Sequence, residues 1–320
     1  MSRKSTVQRI KPPALHIGDT VGIVAPASDI KKEALDAGCE KLHNMGYEPF
    51  YLPSILDHDL YFAGSVKRRA TELEEMFVRD KVRAIVCARG GYGANYLLEC
   101  LDFEKIKAHP KIFVGYSDIT TLLTRLGDLN NLVVFHGPMV TKDFAHGDGV
   151  DTASWEAALS GHFDETFEIG AKSGAIPLIN GSVEGVLYGG CLSMLAASLG
   201  TPYEIKTQGT ILFIEDIATK PFQIDRMLMQ LKLAGKFSGV KGIIFGEMLD
   251  CIQHKDQTYT LEEVVLRIVG GLGIPVAYGL RSGHVSRRNI TLPLGVRAAL
   301  KVQPSAVTLS ILESPTATAD

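Results

Sequence analysis

The alternation of short apolar runs with amphipathic stretches constrains this chain more than any other feature of its sequence. Thr20–Ala27 (TVGIVAPA) is rich in β-branched residues and closes at a proline–alanine pair. Lys31–Met45 then spaces Leu35, Cys39, Leu42 and Met45 along one helical face, and Gly46 follows as a helix-ending residue. Strand patterns at Tyr47–Leu52, Val82–Ala88, Ile112–Tyr116 and Leu132–Phe135 alternate with helix patterns at Val66–Val78, Ala94–Cys100 and Ile119–Leu126. Strands that are apolar at nearly every position need cover on both faces, which a parallel sheet between helix layers provides. Residues 1–145 are therefore expected to form a doubly wound, Rossmann-like α/β domain.

The pattern then changes. Thr141–Asp151 (TKDFAHGDGVD) is polar and glycine-containing, and Ala171–Gly181 carries further turn residues. A linker is expected over 146–176, with Trp155, the single tryptophan, in a short helical pattern inside it. Beyond it, strands are expected at Val183–Tyr188, Thr210–Ile214, Val240–Phe245, Val276–Leu280 and Ile290–Leu292. Helices are expected at Leu192–Ser198, Phe222–Leu233 and Leu261–Gly270. This mixing is less regular, so residues 177–320 read as a smaller α+β or open-barrel domain. The length of 320 residues agrees with two domains.

Composition excludes several classes of function. Hydrophobic residues make up 46% and charged residues 22%, which argues against intrinsic disorder. Lys and Arg number 33 against 36 Asp and Glu, a net charge of −3, so the overall charge does not by itself gather nucleic acid or anionic lipid, which leaves open a local basic patch. No apolar run reaches the roughly 18 residues of a membrane span, and no secretory signal is expected behind the basic N-terminus. The five cysteines are odd in number and lack a C-x-x-C pair, which fits a reducing cytoplasm better than a disulfide or zinc framework. The nine histidines are scattered without metal-ligand spacing, so neither a metal nor a cofactor is expected.

Ligands of open parallel sheets bind beyond the carboxyl ends of the strands, and the sharpest features lie there. Gly115-Tyr116-Ser117-Asp118 follows one strand and opens a helix. A serine on such a turn stands clear of the sheet beside backbone N–H groups, as a nucleophile requires, although Ser117 or Asp118 could equally cap the helix. Arg89-Gly90-Gly91-Tyr92-Gly93 follows another strand, and its glycines let backbone approach a ligand. It lacks the third glycine of a dinucleotide fingerprint and the lysine of a phosphate loop, so nucleotide binding has little support. Glu215-Asp216 closes an apolar strand, where carboxylates need solvent or partners. His284, in Ser282-Gly283-His284, and His136, in Phe135-His136-Gly137-Pro138, both follow strands and compete as the general base.

Taken in order, these segments resemble one family, the serine peptidases that comprise muramoyltetrapeptide LD-carboxypeptidases and microcin C immunity proteins. The resemblance runs along nearly the whole chain. It rests on Gly18-Asp19 with Val21–Ser28, Ala88–Gly93, Val114–Thr120, Phe135–Pro138, Gly189–Ser193 with Leu195, Phe213–Asp216, Asp225–Leu228 and Gly283-His284.

The resemblance implies a Ser–Glu–His triad: Ser117 as nucleophile, His284 as base and Glu215 as the group that orients His284. It implies an oxyanion hole from the backbone N–H groups of Gly91 and Asp118, an active site between the two domains, a homodimer, and a cytoplasmic location. The implied reaction removes the terminal D-alanine of a murein tetrapeptide. The free carboxylate of that residue calls for a cation or a nest of N–H groups; Arg89 is the candidate cation, with an outward ion pair as its alternative role. Two alternatives remain beside it. One is an immunity-type hydrolase of peptidyl-nucleotides, whose aromatic base-stacking loop has no clear counterpart between Leu231 and Leu261. The other is a peptide-binding module without catalysis.

Overall fold

The computed structural model describes residues 9–162, 167–169, 173–252 and 257–317. Its first half holds strands β1 (Thr20–Val24), β2 (Glu48–Phe50), β3 (Val82–Cys87), β4 (Ile112–Gly115) and β5 (Val134–His136), with helices α1 (Lys32–Asn44), α2 (Val66–Val78), α3 (Phe103–Lys107), α4 (Thr120–Leu129) and α5 (Thr152–Leu159). The second half holds β6 (Phe167–Ile169), β7 (Ile176–Ile179), β8 (Gly181–Cys191), β9 (Thr210–Glu215), β10 (Gly242–Gly246), β11 (Val276–Leu280), β12 (Leu292–Leu294), β13 (Arg297–Gln303) and β14 (Ala306–Ile311). Its helices are α6 (Leu192–Ala197), α7 (Pro221–Leu233) and α8 (Leu261–Val269).

The first sheet has the order β12-β5-β4-β3-β1-β2. Five of its strands run parallel, because each apolar run is followed by a crossover that returns the chain to the same edge. β3 and β4 are buried at almost every position, as both-face cover requires. The second sheet has the order β6-β14-β13-β8-β9-β10-β11-β7. Its centre, β8 to β11, is parallel. β13, β14 and β6 extend it antiparallel on one side, and β7 on the other. β7 also lies against β13 and β14, so this sheet curls into a nearly closed barrel. The expected parallel-sheet domain followed by an open-barrel α+β domain is the architecture found.

Three local expectations are corrected. The helix expected at Ala94–Cys100 is a 3-10 turn over Ala94–Leu97, entered through Gly93 in the left-handed region at φ 119°. The region expected as a linker over 146–176 contains α5, whose Trp155 is fully buried and edge-on to Phe144 at 5.1 Å. Trp155 Nε1 also donates to the Tyr47 hydroxyl at 3.3 Å, so α5 belongs to the core of the first sheet. Finally, the segment 177–320 does not keep to its own sheet, because β12 pairs antiparallel with β5, Leu292 opposite His136. Among the described residues, no helix is long and apolar enough to cross a membrane.

Candidate active site

The strand ends converge where the two sheets meet. α4, which follows the Ser117 turn, docks on the end of β8: Thr120 Oγ1 accepts from the Cys191 N–H at 3.0 Å, and the Tyr188 hydroxyl donates to the Thr124 carbonyl at 2.9 Å. The end of β9 lies beside that of β8, with Glu215 opposite Cys191.

Ser117 opens a 3-10 turn (Ser117–Ile119) that runs into α4. Its φ is +64°, a left-handed conformation for a residue with a Cβ. Such conformations cost on the order of 1–3 kcal/mol and persist only where the surroundings impose them. The Arg89–Gly93 loop is pressed against this turn. A Cβ added at Gly90 would lie 2.8 Å from Ser117 Cβ and 3.3 Å from the Asp118 nitrogen. Ser28, in the loop after β1, also holds the glycine loop: its N–H donates to the Gly90 carbonyl at 3.3 Å and its Oγ accepts from the Tyr92 N–H at 3.1 Å. Arg69, itself buried, donates to the carbonyls of Pro26 and Gly93 and ties the same two loops together.

The buried Asp118 side chain accepts from the Ala94 N–H at 2.8 Å. Burial pushes its carboxyl up to about 6 against the pull of the Ala94 N–H and Arg69. Arg89 is exposed, and its Nη1 donates to the Asp29 carbonyl at 3.2 Å.

Glu215 and His284 come together although 69 residues separate them. Glu215 Oε2 accepts from His284 Nδ1 at 2.7 Å and from the His284 backbone N–H at 3.1 Å. The carboxylate is fully buried. Burial alone would raise its pKa, but His284 and His136 outweigh burial and hold it well below the usual carboxylate range. For His284 burial works to lower the pKa, and the facing Glu215, helped by Asp216 and Asp143, raises it above the ordinary 6.5. With Nδ1–H engaged by the carboxylate, Nε2 is the ring atom left for proton transfer.

Gly283 is indispensable to this contact. It adopts φ +92°, and a Cβ there would lie 2.7 Å from Glu215 Cδ and 2.7 Å from His136 Cε1. Asn289 clamps the loop, accepting from the Gly283 N–H at 2.9 Å and donating to its carbonyl at 3.1 Å.

Tyr116 links this pair to the Ser117 turn. Its ring lies edge-on to His284 with centroids 5.0 Å apart, and its hydroxyl bonds the buried Asp143. The roles of Tyr116, Ser28 and Asn289 escape a reading of the sequence, because a buried tyrosine or a short polar residue in a loop carries no spacing signal. Tyr116 and Ser28 lie inside segments that carry the family resemblance, and that is the signal that points to them; Asn289 has none. His136, the competing base, lies behind Glu215, fully buried.

Two clefts flank the site. One of about 920 Å³ opens beside His284 and is lined by Lys142, His146, Arg281, Val285, Arg287 and Arg288, with Asp148 and Asp151 among them. The other, about 420 Å³, lies on the opposite flank against Asp118, Thr121, Tyr92, Tyr96, Met194 and Tyr203. Among the described residues, no group of three or more His, Cys, Asp or Glu could hold a metal ion.

The sequence matches the LD-carboxypeptidase N-terminal domain over residues 21–137 and the LD-carboxypeptidase C-terminal domain over residues 184–300. It is 40% identical to the probable murein peptide carboxypeptidase of Bacillus subtilis, over 91% of each chain. It is 31% identical to the microcin C7 self-immunity protein MccF of Escherichia coli, over 89% of this chain and 91% of that one. A solved structure of MccF in complex with glutamyl sulfamoyl guanosine is similar with a TM-score of 0.88 and 26% identity, covering 96% of this chain and all of that one. The muramoyltetrapeptide carboxypeptidase of Oxalobacter formigenes is similar with a TM-score of 0.83 and 30% identity, covering 93% of this chain and all of that one. The chain belongs to the LD-carboxypeptidase family, which joins murein peptide carboxypeptidases and MccF, and it is a serine-type peptidase.

Proposed function

We propose that this protein is an LD-carboxypeptidase that releases the terminal D-alanine of murein tetrapeptides through Ser117, His284 and Glu215. The observation that carries the reading is the buried Glu215 carboxylate bound twice by His284, at the sheet junction beside the strained Ser117 turn. In this reading Ser117 Oγ attacks the amide carbonyl before D-alanine and passes its proton to His284 Nε2. Glu215 holds the ring tautomer and stabilises the imidazolium. The backbone N–H groups of Gly91 and Asp118 receive the oxyanion, which the packing of Gly90 against Ser117 supports. The imidazolium then protonates the leaving amine, and water activated by the same ring hydrolyses the acyl-enzyme.

The substrate carries free carboxylates, and the cations of the cleft beside His284 suit it electrostatically; Arg89, exposed at the head of the glycine loop, is the further candidate for the carboxylate of the released residue. The setting that follows is cell-wall recycling in the cytoplasm by a homodimer. The nucleophile is placed on residues 1–145 and the other two triad members on residues 177–320.

The structural similarity to MccF gives a second reading a specific footing, that of hydrolysing peptidyl-nucleotides. Mass spectrometry of the protein incubated with a murein tetrapeptide, and in parallel with a peptidyl-nucleotide, separates the two. Loss of one D-alanine from the tetrapeptide is the expected result. Cleavage of the peptidyl-nucleotide alone would move the chain to the immunity branch, and no cleavage of either would reject hydrolysis at this site.

A further inference from the structure

Glu215 faces two histidines, and the triad uses only one. His136, at the end of β5, is fully buried, as are Ser282 and Glu215 around it. Its Nδ1 lies 3.0 Å from Ser282 Oγ, and its Nε2 lies 3.7 Å from Glu215 Oε1. That second separation is beyond hydrogen-bond reach, so it is a charge–dipole contact. Both atoms are buried and neither has a hydrogen-bond partner. The two unsatisfied atoms thus face each other, while Oε2 of the same carboxylate is taken up by His284.

The surroundings hold His136 in that place. β4 flanks its backbone through Gly115 and β12 through Leu292. The Phe213 ring stands edge-on at 5.0 Å, and Tyr116 lies at 5.9 Å. A Cβ at Gly283 would run into both the Glu215 carboxyl and His136 Cε1, so only glycine fits beside the two.

The tautomer follows from the partners. An ionised carboxylate only accepts, so a bare Nε2 lone pair opposite Oε1 would be repelled. The Ser282 hydroxyl can donate to Nδ1, which leaves the proton on Nε2, pointing at Oε1.

We propose that His136 is a positioning residue of the triad. Its Nε2–H anchors Oε1 of Glu215, so that Oε2 alone is presented to His284 and the carboxylate cannot rotate its charge away from the imidazolium. The proposal rests on the triad reading above. His136 touches neither substrate nor the reacting atoms and acts through Glu215. At 3.7 Å the Nε2–H is the polar group that faces Oε1; without it a buried carboxylate oxygen would face no donor dipole, and the carboxylate would turn or shift to find one, taking the orientation of His284 with it.

The test compares three replacements in the full-length protein acting on a murein tetrapeptide. His136→Gln places an amide N–H where Nε2 stood. His136→Asn places its amide where Nδ1 stood, towards Ser282, and leaves Oε1 without a donor. His136→Phe removes both. Phe and Asn are expected to lower kcat by about 10- to 100-fold, the range typical of groups that orient an active-site ligand, with KM within about twofold. Gln is expected to stay within about threefold of wild type.

Thermal unfolding of all three reports packing separately. A purely structural role would make kcat follow Tm and not the position of the donor. Asn retaining as much kcat as Gln, or Phe retaining wild-type kcat, would overturn the proposal. Should Phe fail to fold, the order of Gln and Asn decides. Ser117→Ala is run beside them: hydrolysis by that variant would sink the triad reading itself, an outcome distinct from a wrong order among the His136 variants.

Discussion

His284 owes its basicity to a partner that is itself costly to bury. Burial opposes charge on both groups, yet Glu215 is held below its ordinary range and His284 above 6.5, because each supplies the opposite charge the other needs. Asp216 and Asp143 reinforce the effect on His284, and the Tyr116 ring and His136 complete the groups around the pair. The sign of the pH effect follows. In the proposed mechanism His284 must be neutral to accept the Ser117 proton, so its competence is lost as pH falls through a raised pKa. The acid limb of kcat/KM is expected above pH 6.5. Linkage runs the same way: His284 contributes stability that is complete below 6.5 and disappears as pH rises through its folded value. Nuclear magnetic resonance titration of His284 in Ser117→Ala, with and without Glu215→Gln, checks the cause. The midpoint is expected above 6.5 with Glu215 present and to fall when the charge is removed. An unchanged midpoint would show that Glu215 does not set it.

At the scale of elements, the glycine loop after β3 and the serine turn after β4 act as one unit. A methyl at Gly90 would enter the space of Ser117, 2.8 Å from its Cβ and 3.1 Å from its Oγ. Gly90→Ala is therefore expected to displace the hydroxyl or the facing N–H groups and to lower kcat by on the order of 100-fold, the cost of about 1 Å of misplacement. Steady-state kinetics with the tetrapeptide would measure it, and a kcat within twofold of wild type would show that the two loops move independently.

These elements were the most legible part of the sequence. β3, β4 and β9 are apolar at most positions, broken only by the exposed Arg83 in β3 and by Thr210 and Glu215 at the ends of β9, and such runs have few places to go except the interior of a sheet. Local patterning failed where distant contacts decide. Ala94–Leu97 is a 3-10 turn because Gly93 is left-handed and Asp118 takes the Ala94 N–H, a contact across 24 residues. β13 and β14 alternate buried and open positions, and this two-residue period is a strand signal in the sequence that the expected elements leave out. Ser117 could be read as a cap as well as a nucleophile, since a serine before a helix serves either end. Its φ of +64° and the pressure of Gly90 are visible only in three dimensions.

For the whole molecule, the site depends on two sheets meeting, and the chain joins them more firmly than a two-domain linker would. α5 buries Trp155 against Tyr47 and Phe144 inside a stretch with a linker's composition. β12 then returns from the second half to pair with β5 immediately after the His284 loop. His284 thus sits on a short connection anchored at β11 in one sheet and β12 in the other, and Glu215 reaches it from the end of β9. Nothing local in the sequence specified β12's destination, because an apolar strand reads the same whichever sheet receives it. The central claim is that Ser117, Glu215 and His284, from distant parts of the chain, work as a single catalytic unit. The most direct measurement is kcat on the murein tetrapeptide for Ser117→Ala, His284→Ala, Glu215→Gln and the triple variant. Members of one unit are not additive, so Ser117→Ala or His284→Ala alone is expected to cost about as much as the triple variant, on the order of 10⁴- to 10⁶-fold, with Glu215→Gln somewhat less. Losses that multiply from single to triple, or turnover by Ser117→Ala near the wild-type rate, would contradict it.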